Sequence, residues 1–533
     1  MPAPRREVVT LVADDASPLS QLPGLVDRPS GSNTARGLPP PRSPVTTLRQ
    51  QTVRATFWSA GSRSGQQLVQ LAGIVVLARL LVPSDFGLVA MIAVFSGFAQ
   101  LFVDFGLASA IVQRKELNDR HLSTAFWMNL VAGFTLTLVV AGASPGIAAL
   151  YDEPDLVPLT LLVSLNFVLA APIIVQNALL VRAMNFKRIA AIEIGAALCG
   201  AGAAVVGAVL GMGAFALIVQ ILTTTLVRTI VLWLLTDWRP TATWDRQAMR
   251  ELWRFGANLA GFQAVTYWSR SADNLLVGRF VGAAGLGIYN RAYSTMLLPV
   301  NQVTSVIGRV MFPALSRIQD DLPRVRRGYL RAVGLISLAT FPLVIGLIVV
   351  AEPFVLTLYG SQWKEAVPIL QILCVAILVQ TVAGTTGWLY QSQGRTDWMF
   401  RWGVASTVVT VVAFAIGIRW GIQGVAIAYV VRTYALAYFS FAIPGRLIGL
   451  RFRDVARAVW EVFAISLVMG TLVWLTGDLL PATWPAWAVL VIQVATGILV
   501  YVSLARLLLL SPYRDLRTIV ADFRPRRAKE LAA

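Results

Sequence analysis

Two apolar stretches carry polar stripes that a helix facing only lipid would not keep. In the first, Arg63, Gln66, Gln67 and Gln70 recur at helical spacing and fall on one face. In the second, Gln263, Thr266, Tyr267, Arg270, Asp273 and Asn274 do the same. A guanidinium offers a planar fork for phosphate and keeps its charge at any physiological pH. Amides, hydroxyls and rings suit sugars. Together the two stripes point to binding of an anionic, hydroxyl-rich cargo, although Arg270 and Asp273 could equally neutralise each other at i,i+3. A third block carries Arg291, Ser294, Asn301, Ser305 and Arg309 roughly along one face; its two arginines lie near opposite ends, where long stems can snorkel to headgroups. Arg432 falls near the middle of its block. An unpaired charge there costs about 2.5–3.5 kcal/mol on insertion scales, so it needs a partner or a wet surface. Asp104 sits about two turns inside another block, where it could bind a proton or a cation, or balance an arginine such as Arg63.

Covalent chemistry finds little support. His121 is the single histidine, and both cysteines, Cys199 and Cys374, lie in apolar runs, so no metal centre, disulfide framework, catalytic residue or cofactor is expected. Glu193 lies so near the end of its block that solvation explains it, whereas Arg228, toward the cytoplasmic end of its block, could equally serve cargo binding or structure. Asn166, Gln176, Asn177, Gln371 and Gln380 could line a path or join helices.

The elements that must hold these residues are membrane helices. The chain is 56% hydrophobic and only 14% charged, against about a quarter charged in ordinary soluble domains. Apolar blocks occupy 55–78, 86–111, 122–144, 156–181, 189–209, 212–235, 254–278, 286–311, 329–350, 366–391, 398–418, 421–444, 458–477 and 484–509. Each is long enough to cross a bilayer as a helix. The expected fold is an all-α polytopic membrane protein of about 14 spans. Residues 1–50, rich in Pro, Ser, Gly and Arg, form a tail too polar to bury a core.

A net charge of +18 could suggest a nucleic-acid partner. The loops argue otherwise. Tails and alternate loops hold the positive charge, whereas the opposite loops hold only Arg79, Arg279, Lys364 and Arg419. By the positive-inside rule both termini are expected in the cytoplasm. An internal repeat adds architecture: Arg79-Leu80-Leu81-Val82 before Gly87 recurs as Arg279-Phe280-Val281-Gly282 before Gly287, and Gly211-Met212-Gly213 matches Gly421-Ile422-Gln423-Gly424. Two pseudo-symmetric six-helix lobes follow, 51–236 and 254–446. The connector 237–253, with Trp238, Trp244 and Trp253 among arginines, is expected as an amphipathic helix in the interface. Two extra helices lie in 447–510, and 511–533 forms a basic tail. Paired lobes around a central cavity suit alternating access, with the first and seventh spans as facing walls.

The stretch Leu77-Ala78-Arg79-Leu80-Leu81-Val82-Pro83-Ser84-Asp85-Phe86-Gly87-Leu88, followed by FVDFGLASAIVQRKEL (102–117), resembles bacterial polysaccharide flippases of the Wzx type. These belong to the multidrug/oligosaccharidyl-lipid/polysaccharide exporter superfamily. STAFWMNL (123–130), LLVRAMNFKRIA (179–190), GMGAFALIVQ (211–220), DNLLVGRFVGAAGLGIYNRAY (273–293) and RVMFPALSRIQ (309–319) extend the resemblance over about residues 50–450. It implies a V-shaped transporter in the bacterial inner membrane, moving an undecaprenyl-pyrophosphate-linked oligosaccharide to the outer leaflet. Glycosyltransferases and a polymerase of the same pathway are the implied partners. The superfamily also holds cation-coupled drug exporters and the lipid II flippase, so fold alone does not choose among cargoes. A membrane polymerase would need a sizeable catalytic loop, and the loops here are short.

Overall fold

The computed structural model describes residues 65–104, 111, 118–481, 483–508 and 510–515; for 104, 246–266, 269, 270, 305 and 306 it describes the backbone alone. Arg63, both chain ends, and the side chains of Asp104, Gln263, Thr266, Arg270 and Ser305 lie outside the described residues.

The described residues are helical, with no strand. The first half comprises α1 (Gly65–Leu80), α2 (Pro83–Asp104), α3 (Asp119–Tyr151), α4 (Leu156–Ala170), α5 (Ile173–Arg182), α6 (Phe186–Val209) and α7 (Ala214–Leu235). The second half opens with α8 (Arg246–Arg317), then α9 (Leu322–Val349), α10 (Ala351–Leu358), α11 (Ala366–Ala383), α12 (Thr386–Ser392), α13 (Thr396–Gly417) and α14 (Gly421–Ile448). Helices α15 (Phe452–Leu479) and α16 (Ala486–Leu507) complete the chain. Among the described residues, nine helical stretches are long and apolar enough to cross a membrane, or ten if α4 and α5, bent by 44° at Ala171-Pro172, count as one span. The proline explains that bend, since it removes a helical donor and crowds the preceding turn. The chain is an all-helical, multi-pass membrane protein.

The sequence repeat becomes a repeat of joints. Between α1 and α2 the chain turns at Val82-Pro83, where Pro83 suits the first helical position and the Asp85 carboxylate accepts from the Val82 N–H at 3.1 Å. The counterpart lies inside α8, where Gly282 at φ 87°, ψ −178° breaks the helix into two arms. A β-carbon would be strained in that left-handed region. The later joints match as well: positive φ at Gly211 and Gly213 precedes α7, and positive φ at Gly421 opens α14. Arg79, Arg279, Lys364 and Arg419 thus gather on one charge-poor face.

The connector departs from expectation. Residues 236–245 form no helix, and helix α8 begins only at Arg246. Pro240 disfavours helix in the residue before it and cannot donate an N–H. Instead the segment lies along the start of α3. The Thr241 N–H donates to Ser123 Oγ at 3.0 Å, Trp127 Nε1 donates to the Thr241 carbonyl at 3.0 Å, and Trp238 meets Phe126 edge-on. The three tryptophans had suggested a continuous interfacial helix; two of them, Trp238 and Trp244, lie on this irregular strap.

Helices α15 and α16 dock on α9. Tyr501 Oη donates to the Leu338 carbonyl at 2.7 Å, Gly470 lets α15 approach Ile345, and Arg326 pairs with Asp454 at 2.7 Å on the basic face. Such interhelical hydrogen bonds contribute about 0.6–2 kcal/mol each in a bilayer.

Candidate functional site

The two halves meet along α2 and the arms of α8, and three layers of this seam carry distinct chemistry. At the charge-poor face the joints themselves touch. A β-carbon on Gly87 would fall on the Ala283 carbonyl, and one on Gly287 would fall on the Pro83 carbonyl. Small residues let helix backbones approach this closely. Around them lies a latch. Arg79 donates to the carbonyls of Thr357 and Leu358, the C-terminal end of α10, where a cation complements exposed carbonyls. Gln362 donates to the carbonyls of Ala78 and Leu81, and Trp363 Nε1 donates to the Ala78 carbonyl at 2.7 Å. Trp363 is wholly buried and packs on Phe86 and Tyr359.

Arg291 sits inside this latch. Its guanidinium lies over Phe86, with the ring centroid 4.5 Å away, and within 5.7 Å of the rings of Tyr359 and Trp363. Snorkelling would have sent it to headgroups; the aromatic box holds it against both halves instead, a contact worth about 2 kcal/mol when desolvated.

Deeper in the seam, α2 and the first arm of α8 present rings to one another. Tyr267 Oη reaches the carbonyls of Ala93 and Val94 at 2.8 and 2.9 Å, and Gly97 leaves the room for it. Phe98 packs on Phe102, Tyr267 and Trp268, and Phe95 on Trp268. Trp268 remains 36% exposed. Phe95, Phe98 and Phe102 are spaced as one helical face, so this wall was legible as a stripe but indistinguishable from core packing. Nearer the basic face, Gln302 Nε2 donates to Gln67 Oε1 at 2.6 Å, joining α1 to the second arm of α8. Gln70 and Asn301 are exposed beside them in sequence, and Gln66 is half-buried.

The side chains that would test the facing of the first and seventh spans lie largely outside the described residues. Where side chains are described, α1 reaches the second arm of α8 through Gln67 and Gln302, and α2 meets the first arm through Tyr267 and the second through Gly87 and Phe86. Glycines explain where α1 goes: Gly65 and Gly73 seat it against Ile194, Ala201 and Gln220 of α6 and α7.

A second polar cluster lies within the second half. Asp273 is 7% exposed; its carboxylate accepts from the Asn274 N–H at 2.8 Å and from Tyr289 Oη at 3.4 Å. Tyr289 stacks on Tyr293, which meets Tyr429 edge-on. Tyr429 Oη donates to Gln380 Oε1 at 2.6 Å. Arg432, with Tyr429 and Tyr293 in its electrostatic surroundings, donates to Ser406 Oγ at 2.6 Å. Its demand for a partner is thus met in part by a hydroxyl, while its Nε is buried with no hydrogen-bond partner. The asparagine next in line, Asn274, is half-buried. The tyrosines carried no obvious signal, because single aromatic residues are ordinary in apolar helices.

Several other polar groups pair within the structure, whereas the amide of Gln176 is buried with no hydrogen-bond partner. Glu193 pairs with Arg228 at 3.0 Å, Asn166 accepts from Thr225 Oγ1, and Gln371 donates to the Ile348 carbonyl. No group of three or more His, Cys, Asp or Glu able to hold a metal occurs among the described residues.

The chain matches the polysaccharide biosynthesis protein family over residues 76–368. It is 31% identical over 430 residues to the lipopolysaccharide biosynthesis protein WzxC of Escherichia coli (strain K12), covering 79% of this chain and 86% of that one. It is 28% identical over 374 residues to the succinoglycan biosynthesis transport protein ExoT of Rhizobium meliloti (strain 1021), covering 70% and 75%. Its fold superposes on the inward closed conformation of the lipid II flippase MurJ with a TM-score of 0.68 at 16% identity, covering 87% of this chain and 99% of that one. With the match spanning both arms of α8 and the latch, this chain belongs to the polysaccharide biosynthesis protein family.

Proposed function

We propose that this protein flips an undecaprenyl-pyrophosphate-linked oligosaccharide across the bacterial cytoplasmic membrane by alternating access, supplying surface or exported polysaccharide. The observation that carries the reading is the seam: the halves are closed at the charge-poor face by discrete hydrogen bonds and ring contacts, while amides and aromatic rings lie deeper between them. Rings and amides suit sugar hydroxyls and ring faces, and the arginines of α8 and α14 suit the pyrophosphate. The seam residues Gln66, Gln67, Gln70, Tyr267 and Asn301, and with them Arg63, Gln263 and Arg270, are the proposed cargo contacts. Transport of this kind needs no bond to be made or broken. The basic face is then cytoplasmic, both termini with it.

Coupling to an ion falls to a carboxylate. Asp104 is one candidate. Asp273 is the other, buried among tyrosines with no cationic partner among the described residues, a setting in which a proton or a monovalent cation would relieve the cost of the charge.

The test is export. Arg270→Ala and Arg432→Ala should impair polymer export in a strain dependent on this gene while leaving membrane insertion intact; normal export from both at wild-type abundance overturns the assignment. In proteoliposomes, the lipid-linked oligosaccharide should cross faster under an imposed proton or sodium gradient, and faster than a cationic drug.

A further inference from the structure

The basic face holds a built pocket away from the seam. It lies between the start of α9, the start of α15 and the short helical turn 511–515 that follows α16, and encloses about 640 Å³, within the range of small-ligand clefts. Arg324, Arg327 and Arg331 line it from α9, spaced i, i+3 and i+7 on one helical stripe. Leu330, Ala458 and Pro512 give it an apolar wall.

The far side is strapped in place. Ser511 donates through both its N–H and its hydroxyl to Glu461, and Pro512 rests against Gly334. Asp515 pairs with Arg331 at 3.0 Å. Arg326, one residue from the stripe, is already taken by Asp454. Arg324 and Arg327 point their charges at no carboxylate among the described residues. Among the described residues the pocket therefore holds three cations against one carboxylate.

Basic residues near a helix end are ordinary topology signals, but topology needs only charge, not a concave site with an apolar wall. The stripe climbs about 10 Å along α9 at 1.5 Å per residue, and the apolar run of that helix begins within it, at 329. It thus crosses the headgroup layer, which is only several ångströms thick on each side of the hydrocarbon core. A phosphodiester would sit between the guanidinium forks while its glycerol and first acyl carbons met Leu330 and Pro512. Basic pockets between helices on one membrane face bind anionic headgroups in this manner.

We infer that this pocket is a binding site for the headgroup of an anionic phospholipid, with Arg324 and Arg327 as its free cations and Asp515 as a carboxylate competing for Arg331. The site lies on the second half and on the appended helices, so its occupancy would brace α9 against α15 and the turn after α16.

The probe is phosphatidylglycerol, offered to the full-length protein in detergent and counted by native mass spectrometry, with phosphatidylethanolamine and inorganic phosphate as parallel arms. Wild type should retain one tightly held phosphatidylglycerol in preference to phosphatidylethanolamine. At about 1 kcal/mol per arginine near the surface, the R324Q/R327Q variant should bind it roughly thirty-fold more weakly. Asp515→Asn should bind about five-fold more tightly by the same measure; this arm stands if the arginine variant fails to fold. Equal retention by wild type and R324Q/R327Q overturns the proposal. So does inorganic phosphate competing at equal concentration, which would make this a free-anion site.

Discussion

Adding one methyl group at Gly87 tests the closure of the charge-poor face. The backbone there is in direct contact with Ala283, so the β-carbon of Gly87→Ala has no space until α2 and the second arm of α8 separate. Alanine is the better helix former by about 1 kcal/mol, but α2 is helical whether the face is open or closed, so that gain cancels in the gating equilibrium. What remains is overpacking, about 1–3 kcal/mol, paid only in the closed state. Separation also stretches the contacts of Arg79, Gln362 and Trp363 across the same seam. A change of that size moves the closed-to-open ratio by about 5- to 150-fold. Spin labels at Val82 and Ser361, in a background with Cys199→Ser and Cys374→Ala, report the distance across the latch by pulsed dipolar spectroscopy. The wild type should give a short distance, and G87A a second, longer population with slowed export; Gly87→Leu should give the longer one almost alone. Unchanged distances and export in both variants would refute the idea that this face must open for transport.

Trp363→Phe keeps most of the packing but deletes the donor to Ala78, and should open the same spin-label pair modestly; Trp363→Ala, losing about 3–5 kcal/mol of buried contact, should open it fully. Phe98→Ala combined with Trp268→Ala should reduce export while leaving the latch distance unchanged, since these rings lie deeper than the closure. Asp273→Asn preserves the acceptor for Tyr289 but cannot be neutralised by a proton or cation, so transport in proteoliposomes should lose its response to an ion gradient. A double-mutant cycle on Glu193 and Arg228, read as thermal stability in detergent, should give a coupling below about 1 kcal/mol, because both side chains are part-exposed.

Period and composition made the fold legible. Helices are recognised from local apolar length, and Gly282 and Gly421 sit where the short repeats placed the joints. The site was legible only in part. Tyr267 and Gln67 stood out because a polar group in an apolar helix needs a partner, yet the sequence cannot name a partner on another helix. The seating of α1 against α6 and α7 depends on Gly65 and Gly73, a three-dimensional consequence of small residues. Arg291 shows the same limit. Its distance from the surface allowed snorkelling, and only the approach of α10 and the residues after it, with Tyr359 and Trp363, provides the alternative box.

Where the halves can move relative to one another follows from the strap between them. Residues 236–245 belong mechanically to the first half: Arg239 folds back onto the carbonyls of Trp233 and Thr236, Thr241 is held by Ser123, and the Asp245 N–H donates to Thr124 Oγ1 at 3.1 Å. From Arg246 onward the backbone is continuous helix to the break at Gly282. A rocking motion that opened the charge-poor face would therefore be absorbed at two points, the single junction between Asp245 and Arg246 and the glycine at 282, with a rigid helical arm between them. That arm carries Tyr267, Trp268 and Asp273. A displacement of the latch would consequently be delivered to the aromatic wall and to the buried carboxylate through one lever, giving the proposed cargo contacts, the proposed ion site and the gate a common mechanical element.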